Sequence, residues 1–572
     1  MNVLEMLRTA FASATPEGGD PAAFALAVRP SQDSKFGEYQ ANGCMALAKA
    51  LKKNPRELAT VVASSVDLAP LAGPPEIAGP GFLNVRLHDD WISGRLEALI
   101  SDEKLGLVEP MWVKTVVIDY SSPNVAKPMH VGHVRSTVIG ESLSRIFKAL
   151  GHTVIRDNHL GDWGSQFGMI LWGWKNECDE TAFDAEPVTE LARLYKLAQA
   201  RIKEGDLAVA EAARAETARL HAGDPENRAL WSRFMPHCLD ELHGVYQRLG
   251  VEFDVELGES FYDPMLGDVV KDLEERGLAV PSEGATVVFT EGSKAPFIVK
   301  KSDGAYNYAT TDLATIRYRV DRWNPDLVLY VVDHRQGDHF KQLFAVARLW
   351  GYDRVELNHV AFGTILGNDR KPYKTRAGDV IGLESLLDEG ISEARAVIDQ
   401  NSPELSTEER SNVAEVVGLG AIKYSDLSQN RLSDYVFDWK KMLAMNGNTG
   451  AYLQYAYARI QSIFRKCEVS AEKLRSKPPR IALNHSAERA LGVALLRFPE
   501  TLELTAGELK PNILTDYLFD LANRFSTFFE ECPVLKAESN ERKLSRLALC
   551  DLTARTLKFG LNLLGIDVVD RM

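Results

Sequence analysis

The sequence predicts an α/β fold built on a parallel sheet, with a small α/β domain before it and an all-helical domain after it. Three observations lead to this fold class. Strand-like and helix-like segments alternate from about residue 111 to residue 380. Residues 184 to about 249 show helical spacing without a strand signal, which indicates a helical insertion. From about residue 381 onward, apolar side chains recur at helical spacing with few strand signals.

These patterns divide the chain into four parts. We expect an N-terminal domain at residues 1–110 and a parallel-sheet domain at residues 111–380, which contains the insertion. A helical connector at residues 381–445 and a helical C-terminal domain at residues 446–572 follow. Residues 367–378 carry clustered lysines on a Gly/Pro segment and are called the lysine loop.

Length and composition narrow the class of protein. The chain has 572 residues, of which 45% are apolar, so it has room for several buried cores. No apolar run approaches the ~18 residues that cross a bilayer, and the first residues lack a secretory signal, so we expect no membrane partner. The six cysteines are scattered without the spacing of a zinc site, so we expect reduced thiols, no zinc and a cytoplasmic protein. The net charge of -14 argues against a protein that coats nucleic acid nonspecifically.

The first element of the sheet domain predicts a phosphate site. The β-rich run at residues 115–120 leads through a turn into a helical pattern. The free backbone N–H groups at a helix N-terminus favour an anion, and Gly132 lets a large ligand approach the backbone. His130 and His133 flank this glycine, and Lys127 can reach the same anion.

Two imidazoles at such a site suit one kind of chemistry. Imidazoles that donate hydrogen bonds to a phosphoryl oxygen stabilise the charge that develops when an α-phosphate is attacked. We therefore interpret residues 120–141, YSSPNVAKPMHVGHVRSTVIGE, as a site for nucleotidyl transfer from ATP. The alternative is that His130 and His133 are ordinary residues at the start of a helix.

The next element is a strand at residues 152–156, followed by the loop HLGDWG at residues 159–164. Open α/β sheets bind ligands in loops at the carboxyl ends of their strands. Gly161 and Asp162 are therefore candidates for the same ligand site. The alternative is a simple turn with a buried indole.

Two later elements present polar side chains to the same cleft. The segment YNYATTD at residues 306–312 opens a helix, and we interpret Asp312 as a carboxylate that faces the cleft. The alternative is that Asp312 suits the helix dipole, with Thr311 as the helix cap. Asp333 and Gln336 lie in the segment DHRQ, at the end of a predicted strand at residues 326–332.

The lysine loop contains Lys371 and Lys374 in the segment KPYKTR. Clustered cations on a flexible loop suit a clamp that closes on a triphosphate. The alternative is a solvated basic turn.

The last third of the chain carries a local basic segment. Seven Lys/Arg and two Asp/Glu lie between Arg459 and Arg480, beside aromatic residues that include Tyr452, Tyr455 and Tyr457. This mixture suits phosphate contacts and base stacking on RNA. A charged helix face with a buried aromatic stripe is the alternative.

Six motifs in this order resemble a known family. They are the segments SPNVAKPMHVGH, DNHLGDWGSQFG, YNYATTDLATIRYR, VVDHRQGDHF, KPYKTRAG and GNTGAYLQYAYARI. Together they resemble the class I aminoacyl-tRNA synthetases, and specifically the bacterial-type arginyl-tRNA synthetases, over essentially the full length. HVGH is similar to the HIGH signature of that superfamily, which implies a Rossmann-like catalytic domain at residues 111–380.

The resemblance implies a reaction and its substrates. L-arginine would be activated with ATP to arginyl-adenylate and then transferred to the 3'-terminal ribose of tRNA(Arg), with AMP and pyrophosphate released. Mg2+ would accompany ATP, held chiefly by its phosphates. His130, His133 and Lys127 would act on the phosphates, and the resemblance implies a monomer.

The resemblance also implies which residues bind ATP and which bind arginine. Gly132, Gly161, Asp162 and Asp333 would bind ATP. Tyr308, Asp312 and Gln336 would bind the arginine side chain, because a carboxylate that accepts two parallel N–H bonds suits a planar guanidinium. Ser122 and Asn124 would hold the polar end of the amino acid.

The sequence departs from the family pattern in one motif. A standard KMSKS loop is missing, so either Lys371 or Lys374 could serve the triphosphate, with Lys127 sharing that role. The N-terminal domain would contact the outer corner of the tRNA, and the C-terminal domain would bind the anticodon through Tyr452, Tyr457 and Arg459. The rivals are a small-molecule nucleotidyltransferase and a catalytically silent tRNA-binding protein.

Overall fold

The structure is a computed structural model that describes residues 2–125, 127–293, 295–373, 381–467 and 469–572. The chain forms two compact units. The first unit contains residues 1–109, 444–562 and 567–572, and the second contains residues 110–443 and 563–566. The segments predicted as N-terminal and C-terminal domains therefore share one unit, and the predicted connector shares the other with the parallel sheet.

The second unit is centred on a five-stranded sheet in which every neighbouring pair of strands is parallel. In spatial order the strands are Glu356–His359, Leu327–Tyr330, Thr115–Asp119, Thr153–Leu160 and Val255–Gly258. Val116, Val117 and Ile118 in the central strand are fully buried, as expected for a strand inside a parallel sheet. The structure thus confirms the predicted α/β class.

The strand that follows the central strand along the chain is longer than predicted. The sequence pattern indicated residues 152–156, whereas the strand is Thr153–Leu160 and includes the first two residues of the predicted loop. Asp157 lies within the added part and is fully buried, where its Oδ2 accepts a hydrogen bond of 2.9 Å from Nε of the buried Arg319. A buried ion pair between distant segments replaces the apolar alternation that marks a strand, so the local pattern ends too early.

The remaining elements of this unit surround the sheet. Its other strands are Ala279–Ser282, Ala285–Val288, Phe297–Lys300, Ile365–Leu366 and Tyr435–Val436. Its long helices are Val131–Ala149, Ser165–Glu177, Pro187–Lys203, Leu207–His221, Pro225–Leu249, Leu266–Glu275, Tyr308–Trp323, Gly337–Trp350, Leu383–Asn401 and Thr407–Leu427. Shorter helices are Glu180–Ala185, Glu259–Tyr262 and Trp439–Met442, with 3-10 turns at Asp263–Met265 and His334–Gln336. The segment predicted as a helical insertion, residues 184 to about 249, contains the helices Pro187–Lys203, Leu207–His221 and Pro225–Leu249.

The helix Val131–Ala149, which we call the histidine helix, packs directly on the end of the central strand. Gly140 faces Tyr120, and a Cβ atom at this glycine would lie 2.2 Å from the tyrosine ring. The Tyr120 hydroxyl donates a hydrogen bond of 2.7 Å to Oε2 of Glu141. The missing side chain at Gly140 lets the helix approach closely, and this approach fixes its N-terminus beside the carboxyl ends of the strands.

The first unit combines a small sheet with helices. Its antiparallel sheet has the order Val28–Pro30, Tyr39–Ala41, Phe82–Val85 and Glu76–Ala78. Its N-terminal helices are Val3–Ser13, Pro21–Leu26, Gly43–Leu51, Pro55–Ser65 and Asp89–Ile100, with a 3-10 turn at Ser34–Phe36. Its C-terminal helices are Gly450–Arg465, Ala471–Ser476, Ser486–Leu496, Phe498–Glu508, Asn512–Glu531 and Asn540–Leu563, the last of which ends in the other unit.

Buried polar contacts join the two parts of this first unit. The Tyr39 hydroxyl donates to Oε2 of Glu500 across 2.9 Å, and Nη1 of Arg489 lies 2.6 Å from Oε1 of Glu38.

In the described part of the chain, every helix is too short or too polar to span a membrane.

Candidate active site

A pocket of about 370 Å³ lies at the carboxyl ends of the parallel strands, and its volume falls in the range typical of ligand sites. It is formed by loops and helix starts that are far apart in the sequence. Residues predicted to bind ATP or arginine that line this pocket are Ser122, Asn124, Gly132, His133, Gly161, Tyr308, Asp312, Asp333 and Gln336. Tertiary folding therefore brings both predicted sets of binding residues to one place.

A strained turn begins the site directly after the central strand. Ser121 and Ser122 have φ angles of 70° and 45°, which are unfavourable for residues with a Cβ atom. The Ser122 backbone N–H donates to Oδ1 of Asn158, and the Ser122 hydroxyl donates across 2.8 Å to Oδ1 of Asp119. These bonds offset the strain and hold Ser122 at the wall of the pocket.

The neighbouring Ser121 is held by a buried hydroxyl network. Its backbone N–H donates to Oγ of Ser136 across 2.9 Å, and its own hydroxyl contacts Tyr246 across 2.9 Å. Oγ1 of Thr137 also donates to the Ser121 hydroxyl. Because Ser136 and Thr137 belong to the histidine helix, the network joins the strained turn to that helix.

The two signature histidines close the N-terminus of the histidine helix. Nδ1 of His130 accepts from the Gly132 backbone N–H across 3.1 Å, and Nδ1 of His133 accepts from the His130 backbone N–H across 3.0 Å. Since both Nδ1 atoms accept hydrogen bonds, each neutral ring carries its proton on Nε2. The ring centroids are 4.1 Å apart, so two Nε2–H donors lie side by side at a helix start.

The surroundings keep both rings neutral. Burial lowers the pKa of His133 to about 3, assisted by the adjacent His130. Burial and the nearby Lys127 ammonium also lower the pKa of His130. Neutral imidazoles of this tautomer can donate to a phosphoryl oxygen without a change in their protonation state.

Gly132 has a second role besides its place in the pocket wall. A Cβ atom at this position would lie 2.8 Å from Cε1 of His130. The glycine therefore leaves room for the imidazole that caps the helix.

His130 and Lys127 lie next to the pocket rather than in its lining, and the Lys127 ammonium lies 4.4 Å from the centre of the Tyr195 ring.

The loop after the strand Thr153–Leu160 contributes Gly161 to the pocket. Gly161 pairs with the segment before the histidines, where the Val125 N–H donates to the Gly161 carbonyl across 3.2 Å. A Cβ atom on Gly161 would lie 2.5 Å from Oδ1 of Asn124, so this close approach requires glycine. The structure places the Asp162 carboxylate elsewhere, because it is buried and accepts from both the backbone N–H and the hydroxyl of Ser260. Asp162 supports the loop in this structure, and its carboxylate is not exposed to the pocket.

Asp312 lies one turn inside the helix Tyr308–Trp323 and faces the pocket. Its Oδ2 is 2.6 Å from Nε2 of His339, and the His339 ring packs edge-on against Tyr308 at 4.9 Å. The alternative of a helix cap at Thr311 is wrong, because Oδ1 of Asn307 accepts from the N–H groups that start the helix. The helix therefore begins before Thr311, and Asp312 lies within it.

Asp333 follows the strand Leu327–Tyr330 and lines the pocket. Its carboxylate accepts two hydrogen bonds from the guanidinium of Arg335, of 2.8 and 2.7 Å. Burial alone would raise the pKa of Asp333, but the bonds from Arg335 outweigh it and the pKa is lowered. An ATP hydroxyl at Asp333 would share this ionised carboxylate with Arg335.

Glu259, His159 and Asp119 also line the pocket, and the sequence patterns did not reveal them. Glu259 directly follows the strand Val255–Gly258, and burial raises the pKa of its carboxyl. The position after a parallel strand was the available signal for Glu259. With Asp312, Glu259 makes this part of the pocket suited to a cation.

The start of the lysine loop lies beside a pair of two-residue strands. Ile365–Leu366 pairs in parallel with Tyr435–Val436, and the Tyr373 ring stacks on Phe437 with centroids 4.6 Å apart. Lys371 is exposed, and its backbone N–H donates to Oδ1 of Asp369. Lys374 lies outside the described residues.

The predicted RNA-contacting residues differ in exposure. Tyr457 is buried, and its hydroxyl bonds to Asp570 across 3.2 Å, so its ring is not free to stack on a base in this structure. The Tyr452 hydroxyl donates to Oδ1 of Asn523, and the Arg459 guanidinium lies 4.4 Å from the centre of the Phe529 ring. These contacts match the alternative of a charged helix with an aromatic stripe for Tyr457, and the RNA role of Tyr452 and Arg459 stays a prediction.

Within the described ranges, no group of three or more His, Cys, Asp or Glu side chains could hold a metal ion.

Comparisons with known families cover almost the whole chain. Residues 95–439 match the catalytic domain of the class I tRNA synthetases for arginine, and residues 453–572 match the DALR anticodon binding domain. Residues 2–87 match the arginyl tRNA synthetase N terminal domain.

Individual relatives agree with these models. The chain is similar to arginine–tRNA ligases of Klebsiella pneumoniae strain 342, at 45% identity, and of Rhodopirellula baltica, at 41% identity, with 100% of both chains covered in each case. Among solved structures it is similar to the arginyl-tRNA synthetase of Plasmodium falciparum, with a TM-score of 0.85, 30% identity and coverage of 100% of this chain and 98% of that chain. The arginyl-tRNA synthetase of Thermus thermophilus gives a TM-score of 0.84 at 25% identity, with 100% of both chains covered. Since the family models and the full-length relatives match the chain from end to end, this protein belongs to the arginyl-tRNA synthetases, class I enzymes that use ATP to join arginine to tRNA.

Proposed function

We propose that the pocket binds L-arginine beside ATP, with the guanidinium at Asp312 and the phosphates at the start of the histidine helix. The observation that supports this most is the sorting of charge within one pocket. The carboxylates of Asp312 and Glu259 lie among its lining residues, together with Gly132 and His133 at a helix N-terminus. The same pocket therefore offers carboxylates to the arginine guanidinium and a helix N-terminus to the ATP phosphates.

The arginine side chain is bound by charge-assisted hydrogen bonds. The Asp312 carboxylate is a quarter exposed, which leaves it accessible, and His339 holds one of its oxygens in place. A guanidinium presents parallel N–H groups that a carboxylate accepts in pairs, and Glu259 and Gln336 supply further oxygens. Lysine offers a single ammonium and cannot use this fork.

The polar end of the amino acid lies at the strained turn. Ser122 and Asn124 present a hydroxyl and an amide to the pocket beside Gly161. Asp119 and Asn158 hold Ser122 from behind, so the turn is already ordered before substrate arrives. This preorganisation directs the arginine carboxylate toward the phosphates.

In the first step an oxygen of the arginine carboxylate attacks the α-phosphorus of ATP, and the bond to the bridging oxygen of pyrophosphate breaks. The Nε2–H groups of His130 and His133, and the helix N-terminus, donate to the oxygens on which negative charge grows. Mg2+ carried on the ATP phosphates would neutralise part of their charge. Lys127 and Lys371 or Lys374 hold the triphosphate.

In the second step a hydroxyl of the 3'-terminal ribose of tRNA(Arg) attacks the carbonyl carbon of arginyl-adenylate. The bond to AMP breaks, the hydroxyl proton is lost, and arginine becomes esterified to the tRNA. The first unit, which carries the DALR and N-terminal domain matches, binds the body and anticodon of the tRNA. We further propose that the protein is a cytoplasmic monomer, and light scattering of the purified protein tests whether it is a monomer.

The deciding experiment is aminoacylation of purified tRNA(Arg) with ATP and each amino acid in turn. Arginine should be attached and lysine should not. Citrulline has nearly the shape of arginine but lacks its charge, so it should fail if the carboxylates select the guanidinium. Attachment of citrulline or lysine at rates comparable with arginine would contradict the proposed site, and activity with another amino acid alone would contradict the proposed substrate.

A further inference from the structure

The helical insertion contributes a side chain that touches the predicted triphosphate lysine. Nζ of Lys127 lies 4.4 Å from the centre of the Tyr195 ring, in the helix Pro187–Lys203. The ring is 8% exposed, and its hydroxyl accepts a hydrogen bond of 2.7 Å from Gln199 one turn further along the helix. Tyr195 therefore offers a fixed aromatic face on which the ammonium rests.

Lys127 lies beside the phosphate-binding end of the histidine helix. It precedes His130 by three residues, and its backbone N–H donates to the Asn124 carbonyl across 3.2 Å. Its positive charge lowers the pKa of both His130 and His133. At His130, only burial lowers the pKa more. A cation on Tyr195 is thus within the electrostatic reach of the groups that face the phosphates.

An aromatic face can order a lysine without using up its hydrogen bonds. The side chain has four rotatable bonds, so an unrestrained lysine loses rotamer freedom when it binds a ligand. A ring attracts one face of the ammonium through its quadrupole. Because the ammonium has three N–H groups, those that do not face the ring remain available to phosphate oxygens.

The same insertion also contacts the loop residues that follow Gly161. Nε1 of Trp231 donates to the Asp162 carbonyl across 2.9 Å, and Nε2 of His221 lies 2.8 Å from the Trp163 carbonyl oxygen. The His221 ring stacks on the Trp163 indole at an interplanar angle of 9°. The insertion therefore contacts both segments that meet at Gly161, and its role extends beyond covering the sheet.

We propose that Tyr195 is a positioning residue that presents the Lys127 ammonium to the triphosphate of ATP. This inference rests on the proposed ATP site and adds a residue from the insertion to it. Tyr195 acts only through Lys127, so its effect should appear in ATP binding and should vanish when Lys127 is absent.

The test is a double-mutant cycle with Tyr195→Leu and Lys127→Met, and with Tyr195→Phe as the matched control. Binding of a slowly hydrolysed ATP analogue is measured by titration calorimetry, and KM for ATP is measured in arginylation. Loss of a partly desolvated cation–π contact should weaken ATP binding about 2- to 10-fold in Tyr195→Leu, with KM for arginine unchanged. Tyr195→Phe keeps the ring and should bind ATP like the wild type, and Tyr195→Leu should add nothing in the Lys127→Met background.

Three results would overturn the inference. Equal ATP binding by Tyr195→Leu and Tyr195→Phe would show that the ring face is unimportant. A further loss in Lys127→Met would show that Tyr195 acts through another group, and unchanged ATP binding by Lys127→Met alone would remove the lysine from the site.

A second measurement covers the case in which Tyr195→Leu folds poorly. Phenylalanines with increasing fluorination at position 195 keep the shape of the ring and weaken its negative face. ATP affinity should fall steadily along this series, and a flat series would overturn the inference. Failure of the proposed function itself is distinguishable, because the wild type would then fail to arginylate tRNA whatever residue occupies position 195.

Discussion

Nε2 of His339 lies 2.6 Å from Oδ2 of Asp312, so the carboxylate proposed for the arginine guanidinium is held by a histidine from the next helix. Both side chains are largely buried, at 25% exposure for Asp312 and 14% for His339. The contact fixes the orientation of the carboxylate, whose oxygens have further lone pairs that can accept from a guanidinium. Asp312 is thus oriented before arginine binds, which reduces the entropy lost on binding.

Replacement of Asp312 by Asn tests this site with almost no change of shape. The amide loses the charge and one acceptor, and a hydrogen bond to a charged group contributes about 1.5–3 kcal/mol. We therefore expect KM for arginine to rise about 10- to 150-fold. KM for ATP should stay near the wild-type value in the same arginylation assay, which serves as the control. An unchanged KM for arginine would show that the guanidinium binds elsewhere.

Two replacements of His133 test its role as a hydrogen-bond donor. Asn places an oxygen near the position of Nδ1 and can still accept from the His130 N–H, but it lacks the Nε2–H donor. We expect kcat for arginylation to fall about 10²- to 10³-fold in His133→Asn, as for loss of one oxyanion donor. The melting temperature should change little.

Gln at the same position supplies both functions. Its amide oxygen can accept from the His130 N–H, as in a capping box, and its amide nitrogen carries a donor. We expect His133→Gln to keep more activity than His133→Asn, with a melting temperature close to that of the wild type. The opposite order of activities would contradict the role of the donor.

The lowered pKa of His133 predicts a pH effect on stability. The unfolded chain binds a proton at His133 below about pH 6.5, whereas the folded chain does so only near pH 3. Stability is therefore lost as the pH falls through this interval, by up to about 1.4 kcal/mol per pH unit. We expect the melting temperature of the wild type to fall relative to that of His133→Asn between pH 6.5 and pH 5. Parallel curves for the two proteins over this range would contradict a buried neutral imidazole.

The ion pair of Arg135 and Asp426 predicts a large stability effect. Nε of Arg135 lies 3.1 Å from Oδ2 of Asp426, and the two side chains are 1% and 0% exposed. Removal of one partner leaves an unpaired buried charge, which costs about 3–5 kcal/mol. Asp426→Leu should therefore melt far below the wild type, and the double replacement Arg135→Met with Asp426→Leu should recover much of the loss. A single variant as stable as the wild type would contradict the burial of an intact pair.

Tyr455 and Tyr457 form a matched pair for RNA binding, since they lie on the same helix and differ in exposure. Tyr455 is 42% exposed, whereas Tyr457 is 5% exposed and burial raises its pKa to about 12. Base stacking contributes about 1–3 kcal/mol per base, so Tyr455→Ala should weaken tRNA(Arg) binding at least fivefold in a filter-binding assay. Tyr457→Phe should leave the Kd unchanged. A larger loss with Tyr457→Phe would mean that the buried hydroxyl becomes accessible in the complex.

Much of the site could be predicted from the sequence because its signals are local. The strand, turn and helix around HVGH follow from residue periodicity and from the free N–H groups of a helix start. Asp312, Asp333 and Gln336 lie at helix starts and strand ends, where α/β sheets display ligand-binding side chains. The six motifs in order were enough to predict the family, and the full-length comparisons confirm it.

Only the tertiary structure decided which side chains are free to act. Asp162 has the sequence position of a ligand-binding residue, yet Ser260, which is 98 residues away, takes up its carboxylate. Tyr457 belongs to an aromatic run that suits RNA, yet Asp570 and the surrounding helices bury it. Tyr195 reaches the site from a segment that shows no local sign of it, and Glu259 is marked only by its position after a strand. Exposure and partnership depend on contacts between segments far apart in the chain, and periodicity along one segment carries no information about them.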